Sequence, residues 1–183
     1  MPDPERHRVR TALSAAVRRL QAQMDVRLIP EVGMNIVYAL AGANRTDDVA
    51  GVHGRIVNLH GRPHPVGEVG FGASDHVARI ALTAMRFNPD IRSAANIRFS
   101  DRYIAIMEDQ MMEICSFDRT REPPGVHTMD WGVAFCCKGE VPDVIFDRGA
   151  MGKEPMIRFL GENPEMVVHN ILKLSGRIHD ATE

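Results

Sequence analysis

Aromatic side chains are scarce in this 183-residue chain, at 5% of residues. No sign of charge dominates either: 22 lysines and arginines stand against 24 aspartates and glutamates, for a net charge of −2. Nonspecific binding to a nucleic-acid backbone calls for a basic excess, and single strands call for stacking platforms. Neither is supplied, so no nucleic-acid partner is expected. Long apolar runs are missing as well. Stretches such as Ile80-Ala81-Leu82 are far too short to cross a bilayer, so no membrane partner is expected. The first ten residues are charged and lack the apolar centre of a secretory signal. Cysteine is rare: Cys115, Cys136 and Cys137 make an odd count without zinc-finger or redox spacing. They read as three reduced thiols in a cytoplasmic protein.

What is present is ordinary for a globular protein, with 44% apolar and 25% charged residues. The length suits one domain, residues 1–183, with a sizeable core. Val9, Leu13, Ala16, Val17 and Leu20 recur at helical spacing within Glu5 to Met24, with arginines on the other face. The pattern predicts an amphipathic helix packed on the domain, and no second helix follows a tight turn as DNA reading would require. Strands are expected at Asn35–Leu40, Arg55–Leu59, Ala94–Arg98, Glu113–Phe117, Val144–Phe146 and Ile157–Leu160. A turn is expected over Gly42–Asp48 and a loop over Gly67–Ser74. Helices are expected at Asp75–Arg86, Ser100–Met111, Thr128–Cys137 and from Pro164 through Leu174. Met107, Met111 and Met112 read as core filler, and Trp131 as packing. Strands alternating with helices, with no internal repeat, predict an α/β domain whose sheet is covered on both faces.

Two glycine-rich stretches carry the chemistry. Gly67 through His76 opens a helix, and Asp147-Arg148-Gly149-Ala150-Met151-Gly152-Lys153-Glu154-Pro155 follows a strand. Glycine lets backbone N–H groups turn toward an anion, and a helix start adds unpaired N–H groups with partial positive charge. The pair of loops suggests a ligand carrying phosphate in two places. In the first loop Ser74 or Asp75 is the expected N-cap. Arg79, one turn on, either meets the ligand or pairs with Asp75. The second loop is not a P-loop, because Asp147 stands where its first glycine belongs and Glu154 replaces the Ser or Thr. It retains cations, Arg148, Lys153 and Arg158, suited to phosphate oxygens. Asp143, Asp147 and Glu154 offer oxygen ligands for magnesium. His53, His60 and His64 crowd one segment, but Gly61, Pro63 and Pro65 break the helix that a His-x3-His zinc site needs.

The order of these stretches resembles the archaeal-type thiamine-phosphate synthase domain, the ThiN domain. The resemblance is carried by Ile29 through Leu40, Asp48-Val49-Ala50 through Gly54-Arg55-Ile56-Val57, Phe71 through Arg79 and Asn96 through Ser100. It continues in Phe117-Asp118-Arg119, Trp131-Gly132 and Pro142 through Arg158. It implies a three-layer α/β/α fold with a mixed, largely antiparallel sheet, similar to class II aldolases. It implies a transferase joining hydroxymethylpyrimidine diphosphate to hydroxyethylthiazole phosphate, giving thiamine phosphate and pyrophosphate, with Mg2+ as cofactor. A homodimer, and a kinase domain in fused relatives, are further implications. The family's two catalytic positions fall on Arg55 and His76. Both are kept and no DNA-binding segment precedes the domain, which favours an enzyme over a non-catalytic thiamine-phosphate sensor. An aldolase-like metal lyase is a third reading. Beside Arg55 and His76, the phosphate- and substrate-binding candidates are Asn35, Gly72, Ser74, Arg79, Arg98, Arg148, Gly149, Gly152 and Lys153. The metal candidates are Asp147 and Glu154.

Overall fold

Helix α1, Pro4–Gln23, begins where Asp3 accepts a hydrogen bond from the Glu5 N–H and ends where Met24 turns extended. This comes from a computed structural model that describes residues 3–180, the side chains of 128 and 129 excepted. The strands that follow are β1 (Ile36–Ala39), β2 (Val49–Val52), β3 (Ile56–Leu59), β4 (Arg62–Pro65) and β5 (Val69–Phe71). Next come α2 (His76–Met85), β6 (Ser93–Arg98), α3 (Asp101–Asp109), β7 (Ile114–Ser116) and α4 (Thr128–Cys136). The chain closes with β8 (Val144–Asp147), β9 (Met156–Gly161) and α5 (Pro164–Asp180).

Seven strands form one sheet in the order β5-β2-β1-β6-β9-β8-β7. Its neighbours are antiparallel except β7 and β8, which run parallel. Strands β3 and β4 form a separate antiparallel ribbon. Because successive strand residues point to opposite faces, the sheet feeds two cores. Ile36, Ala95, Ile97, Val144, Ile157 and Phe159 pack with Leu13 and Leu20 of α1, Met107 of α3 and Ile171 and Leu174 of α5. Val37, Ala39, Ala94, Ile145 and Leu160 pack with Ile80 and Ala84 of α2 and Val133 of α4. The two cores draw on different helices, α1, α3 and α5 in one and α2 and α4 in the other, around a mixed sheet in the α/β class that the alternation of strands and helices predicted.

Three strands escaped the pattern reading. Strand β2 lies directly after the expected turn and contains Gly51, so no alternation shows. Strand β5 lies inside the stretch read as a glycine loop, at a sheet edge where pairing with β2 alone suffices. Strand β4 carries Pro63 and Pro65, which the ribbon tolerates because β4 pairs with β3 alone among the described strands. Helix α5 runs one and a half turns past the expected Leu174, with Ile178 still buried. Met111 is 90% exposed at positive φ after α3, so it is not core filler, whereas Met107 is fully buried.

The cysteines are not three reduced thiols. Cys115 of β7 and Cys136 of α4 are joined in a disulfide, and Cys137 is free and buried. Helix α4 packs beside α2 and brings their Cα atoms to 5.7 Å, a contact that a separation of 21 residues does not disclose. Burial pushes the Cys137 thiol up to about 11, so it stays protonated at pH 8 and its nucleophilic thiolate is absent. Without reductant at pH 8, a thiol reagent should therefore find no reactive group in the folded chain and one after unfolding; three reactive groups would contradict the pairing. Leu13, fully buried between α1 and the sheet, should cost about 2–5 kcal/mol when replaced by alanine, read from denaturant unfolding.

Candidate active site

Two adjoining cavities open at the end of the sheet where these loops meet. The first, of about 400 Å³, has Arg55, Ser74, His76, Arg119, Lys153 and Arg158 among its lining residues. Arg55 and His76 therefore share one cavity although they come from different elements.

Arg55 leaves a tight turn in which its N–H donates to Val52 O at 3.3 Å. Gly54 and Arg55 both hold positive φ, 73° and 70°. Glycine adopts this freely, but a side chain does not, and a Cβ on Gly54 would stand 2.8 Å from Val66 Cγ1. The conformation at Arg55 costs of order 1–3 kcal/mol. The surroundings hold it: Val66 N donates to Arg55 O at 2.9 Å, and the guanidinium donates to Val32 O. Such strain is found where the position of a side chain matters.

The start of α2 lines the same cavity. Asp75 occupies its N-cap position, yet its side chain makes no capping bond. The carboxylate instead receives Arg79 Nε at 3.1 Å, and Arg79 also reaches Asp130 at 3.4 Å. The first N–H groups of α2 are thus left for a ligand, with Ser74 and the exposed His76 beside them.

The floor is ionic and buried. Arg158 sits in β9, opposite Asn96 of β6, with 1% exposure, and Asp147 at the end of β8 has none. Arg158 Nη2 lies 2.8 Å from Asp147 Oδ2, and Arg119 Nε lies 3.4 Å from Oδ1. Gly149 N donates to the same Oδ1 at 2.8 Å. Two guanidinium groups against one carboxylate leave one positive charge in excess. Burial pulls the Arg158 pKa down, while Asp147 raises it and Arg119 lowers it further. A guanidinium remains protonated throughout the working range of proteins.

Asn35 also lines this cavity, but its amide is committed to the fold: Oδ1 accepts from Val52 N at 2.9 Å and Nδ2 donates to Val52 O at 2.9 Å. It stitches the start of β1 to β2. Gly152 sits at the tip of a hairpin in which Ala150 and Lys153 exchange backbone bonds, and Lys153 reaches Glu122 at 3.4 Å. Gly149 is at positive φ, where a Cβ would meet Lys153 O at 2.5 Å. Gly149 and Arg148 face the second cavity, not the first. Gly72 turns the chain between β5 and α2, and its N–H donates to Val49 O. Arg79 is taken up by its two carboxylates. Arg98 lines a different groove with Arg27 and Asn58.

Arg119 was not named as a site residue from sequence, and Arg158 was read only as a loop cation. Their visible signs were the Phe117-Asp118-Arg119 match for the first and, for the second, its place with Arg148 and Lys153 among the cations around the glycines.

The carboxylates proposed for magnesium do not fit it. Asp147 is sealed beneath two arginines. Glu154 accepts the backbone N–H groups of Glu31 and Val32 at 3.0 and 3.4 Å. Asp143 accepts Glu113 N at 3.0 Å. Among the described residues no three histidines, cysteines or carboxylates gather as a metal site, the histidines of residues 53–64 included.

Fold and cavity together define an α/β domain with a cavity lined by cationic side chains and the start of a helix. Residues 12–173 match the family described as thiamine-phosphate synthase ThiN, and the chain belongs to that family. It is 46% identical over 162 residues to the bifunctional thiamine biosynthesis protein ThiDN of Methanocaldococcus jannaschii, covering 87% of this chain and 38% of that protein. It thus spans well under half of that longer relative. It is 39% identical over 154 residues to the thiamine-phosphate synthase ThiN of Methanothermobacter thermautotrophicus, covering 80% of this chain and 81% of that one. A crystallised C-terminal domain of phosphomethylpyrimidine kinase matches with a TM-score of 0.87 and 44% identity, over 93% of this chain and all of that one. An L-fuculose-1-phosphate aldolase from Thermus thermophilus shares the fold alone, with a TM-score of 0.51 and 13% identity over 94% of each chain.

Replacing Asp147 with alanine should cost about 3–5 kcal/mol in denaturant unfolding, because it leaves two guanidinium groups buried without their counter-charge. A loss below about 1 kcal/mol, the range of an exposed ion pair, would show that this carboxylate does not hold the floor together.

Proposed function

We propose that this chain is a thiamine-phosphate synthase, a transferase that joins hydroxymethylpyrimidine diphosphate to hydroxyethylthiazole phosphate. The observation that carries the reading is the convergence of Arg55, His76 and the Arg119–Arg158 pair on one cavity. The family and the named relatives support the same activity. We also read residues 1–183 as one three-layer α/β/α domain of the class II aldolase kind, a reading supported by the helices packed on both sheet faces.

In this reaction the thiazole nitrogen forms a bond to the pyrimidine's methylene carbon while the bond from that carbon to the diphosphate oxygen breaks. The bonding electrons leave with the diphosphate, which is released as pyrophosphate. The nitrogen carries no proton, so no base is needed. The difficulty is the negative charge growing on the leaving group. In this proposal Arg55 and the α2 N–H groups bind that charge from one side, and Arg119 and Arg158 from the other. His76 donates a hydrogen bond to a leaving oxygen, or its proton as the bond breaks. Lys153 and Ser74 complete the phosphate contacts. Magnesium enters the proposal as a companion of the diphosphate, not as an ion held by Asp147 and Glu154, and no step depends on it. A homodimer and a cytoplasmic location are part of the same reading; among the described residues no helix is long and apolar enough to cross a membrane.

Arg55→Ala and His76→Ala should each lower the turnover of thiamine-phosphate formation about a hundredfold or more, the typical loss of one aimed donor. Pyrophosphate release with both substrates and magnesium is the measurement. Unaltered turnover in either variant would remove that residue's role. A wild-type chain that binds thiamine phosphate and never forms it would be a sensor.

A further inference from the structure

The second cavity, of about 380 Å³, concentrates what the chain otherwise lacks. The sequence holds seven phenylalanines, two tyrosines and a single tryptophan, and four of these rings, Phe117, Trp131, Phe135 and Phe146, line this one space. Trp131 stacks on Phe135 with centroids 6.0 Å apart and planes 26° apart, and meets Phe117 edge-on at 6.0 Å. Phe135 is 49% exposed, so the rings form a plate open to solvent. The first cavity has no phenylalanine, tyrosine or tryptophan among its lining residues.

Three arginines surround the plate: Arg119, Arg121 and Arg148. Arg148 stands 5.3 Å from the Phe99 ring centre and 5.8 Å from that of Phe146, and pairs with Asp101 at 2.8 Å. Arg121 lies 3.8 Å from Asp118. Both pairs are largely exposed, and exposed pairs of this kind are worth about 0–1 kcal/mol, so an incoming phosphate can displace the carboxylates. Arg119 lines both cavities. Ring faces recognise planar heteroaromatic groups, and guanidinium forks recognise phosphate oxygens.

We propose that the second cavity binds the phosphate-monoester substrate, with its heteroaromatic ring against Trp131 and Phe135 and its phosphate on Arg121 and Arg148. The assignment rests on the synthase reading, under which that ligand is hydroxyethylthiazole phosphate, and it leaves the diphosphate to the first cavity. Arg119 then stands between the two phosphorylated ligands.

Trp131 is the only tryptophan, so its fluorescence reports on this cavity. Titrating the full chain with hydroxyethylthiazole phosphate, without the pyrimidine substrate, should give a saturable change in emission. Arg55→Ala should leave that affinity unchanged. Arg148→Ala and Arg121→Ala should each weaken it about tenfold or more, as loss of a charge-assisted contact does, with thermal midpoints near wild type. Four outcomes overturn the proposal: no change in emission together with no heat in calorimetry, equal affinity for inorganic phosphate alone, tighter binding of adenosine monophosphate, or loss of binding in Arg55→Ala. Failure of the synthase reading is separable. A chain that binds the thiazole phosphate here and forms no product retains this site, whereas a chain that turns over without engaging Trp131 does not use it.

Discussion

One carboxylate organises the end of the sheet. Asp147 closes β8 with no exposure and holds Arg158 from β9 and Arg119 from the loop after β7. Burying three charges is expensive, and a well-packed apolar trio of similar volume would serve stability as well or better. What the ionic arrangement supplies is a positive charge that cannot move away. Arg158 is fixed by its strand, by Asp147 and by the Phe117 ring, 5.4 Å from its guanidinium. Its field at the cavity is set before any ligand arrives, so little reorganisation remains for the moment when charge develops. Lys153 is different: half-exposed and paired with Glu122, it can follow a ligand.

The opposite wall is made rigid by other means. The Gly54–Arg55 turn is held at positive φ by backbone bonds to Val52 and Val66. At α2, Asp75 sits where a capping carboxylate would be expected and turns to Arg79 instead. Had Asp75 capped the helix, its negative charge would stand where an anionic ligand needs positive potential. Arg79 thus contributes by withdrawing a carboxylate, although it touches the first cavity nowhere.

How much of this was legible follows from the range of each interaction. Helix α1 was readable because Val9, Leu13, Ala16, Val17 and Leu20 repeat at a local period, and all five are buried. Strands β2, β4 and β5 were not, because glycine and proline interrupt them and pairing with a neighbour, not their own pattern, makes them strands. The loop that opens α2 was visible through its glycines. Arg55 came from the family resemblance, since nothing in a Gly-Arg dipeptide announces a turn at positive φ beside a cavity. The floor was hidden because residues 119, 147 and 158 meet only when β8 pairs with β9 and the loop after β7 folds over them. Asp147 then misled: a carboxylate in a loop rich in cations reads as a metal ligand until its burial beneath two arginines is known. The cysteines failed for the same reason, their pairing being a property of how α4 packs beside β7.

The distant likeness to an aldolase of 13% identity extends to scaffold, not chemistry, because function resides in the site built on a fold. Here the site comes from the turn before β3, the start of α2, the loop after β7 and the hairpin after β8, while the sheet supplies Asn96, Met156 and Arg158 with its anchor. A metal-held carbanion chemistry would ask these loops for a ring of metal ligands. They offer fixed cations, helix N–H groups and one imidazole instead. That inventory suits a reaction whose nucleophile has no proton to lose and whose barrier lies in the departure of an anion. The same economy explains why a chain so poor in aromatics gathers four of them beside Arg119: once electrostatics is assigned to the first cavity, orienting a ring is the task that remains, and flat apolar faces do it.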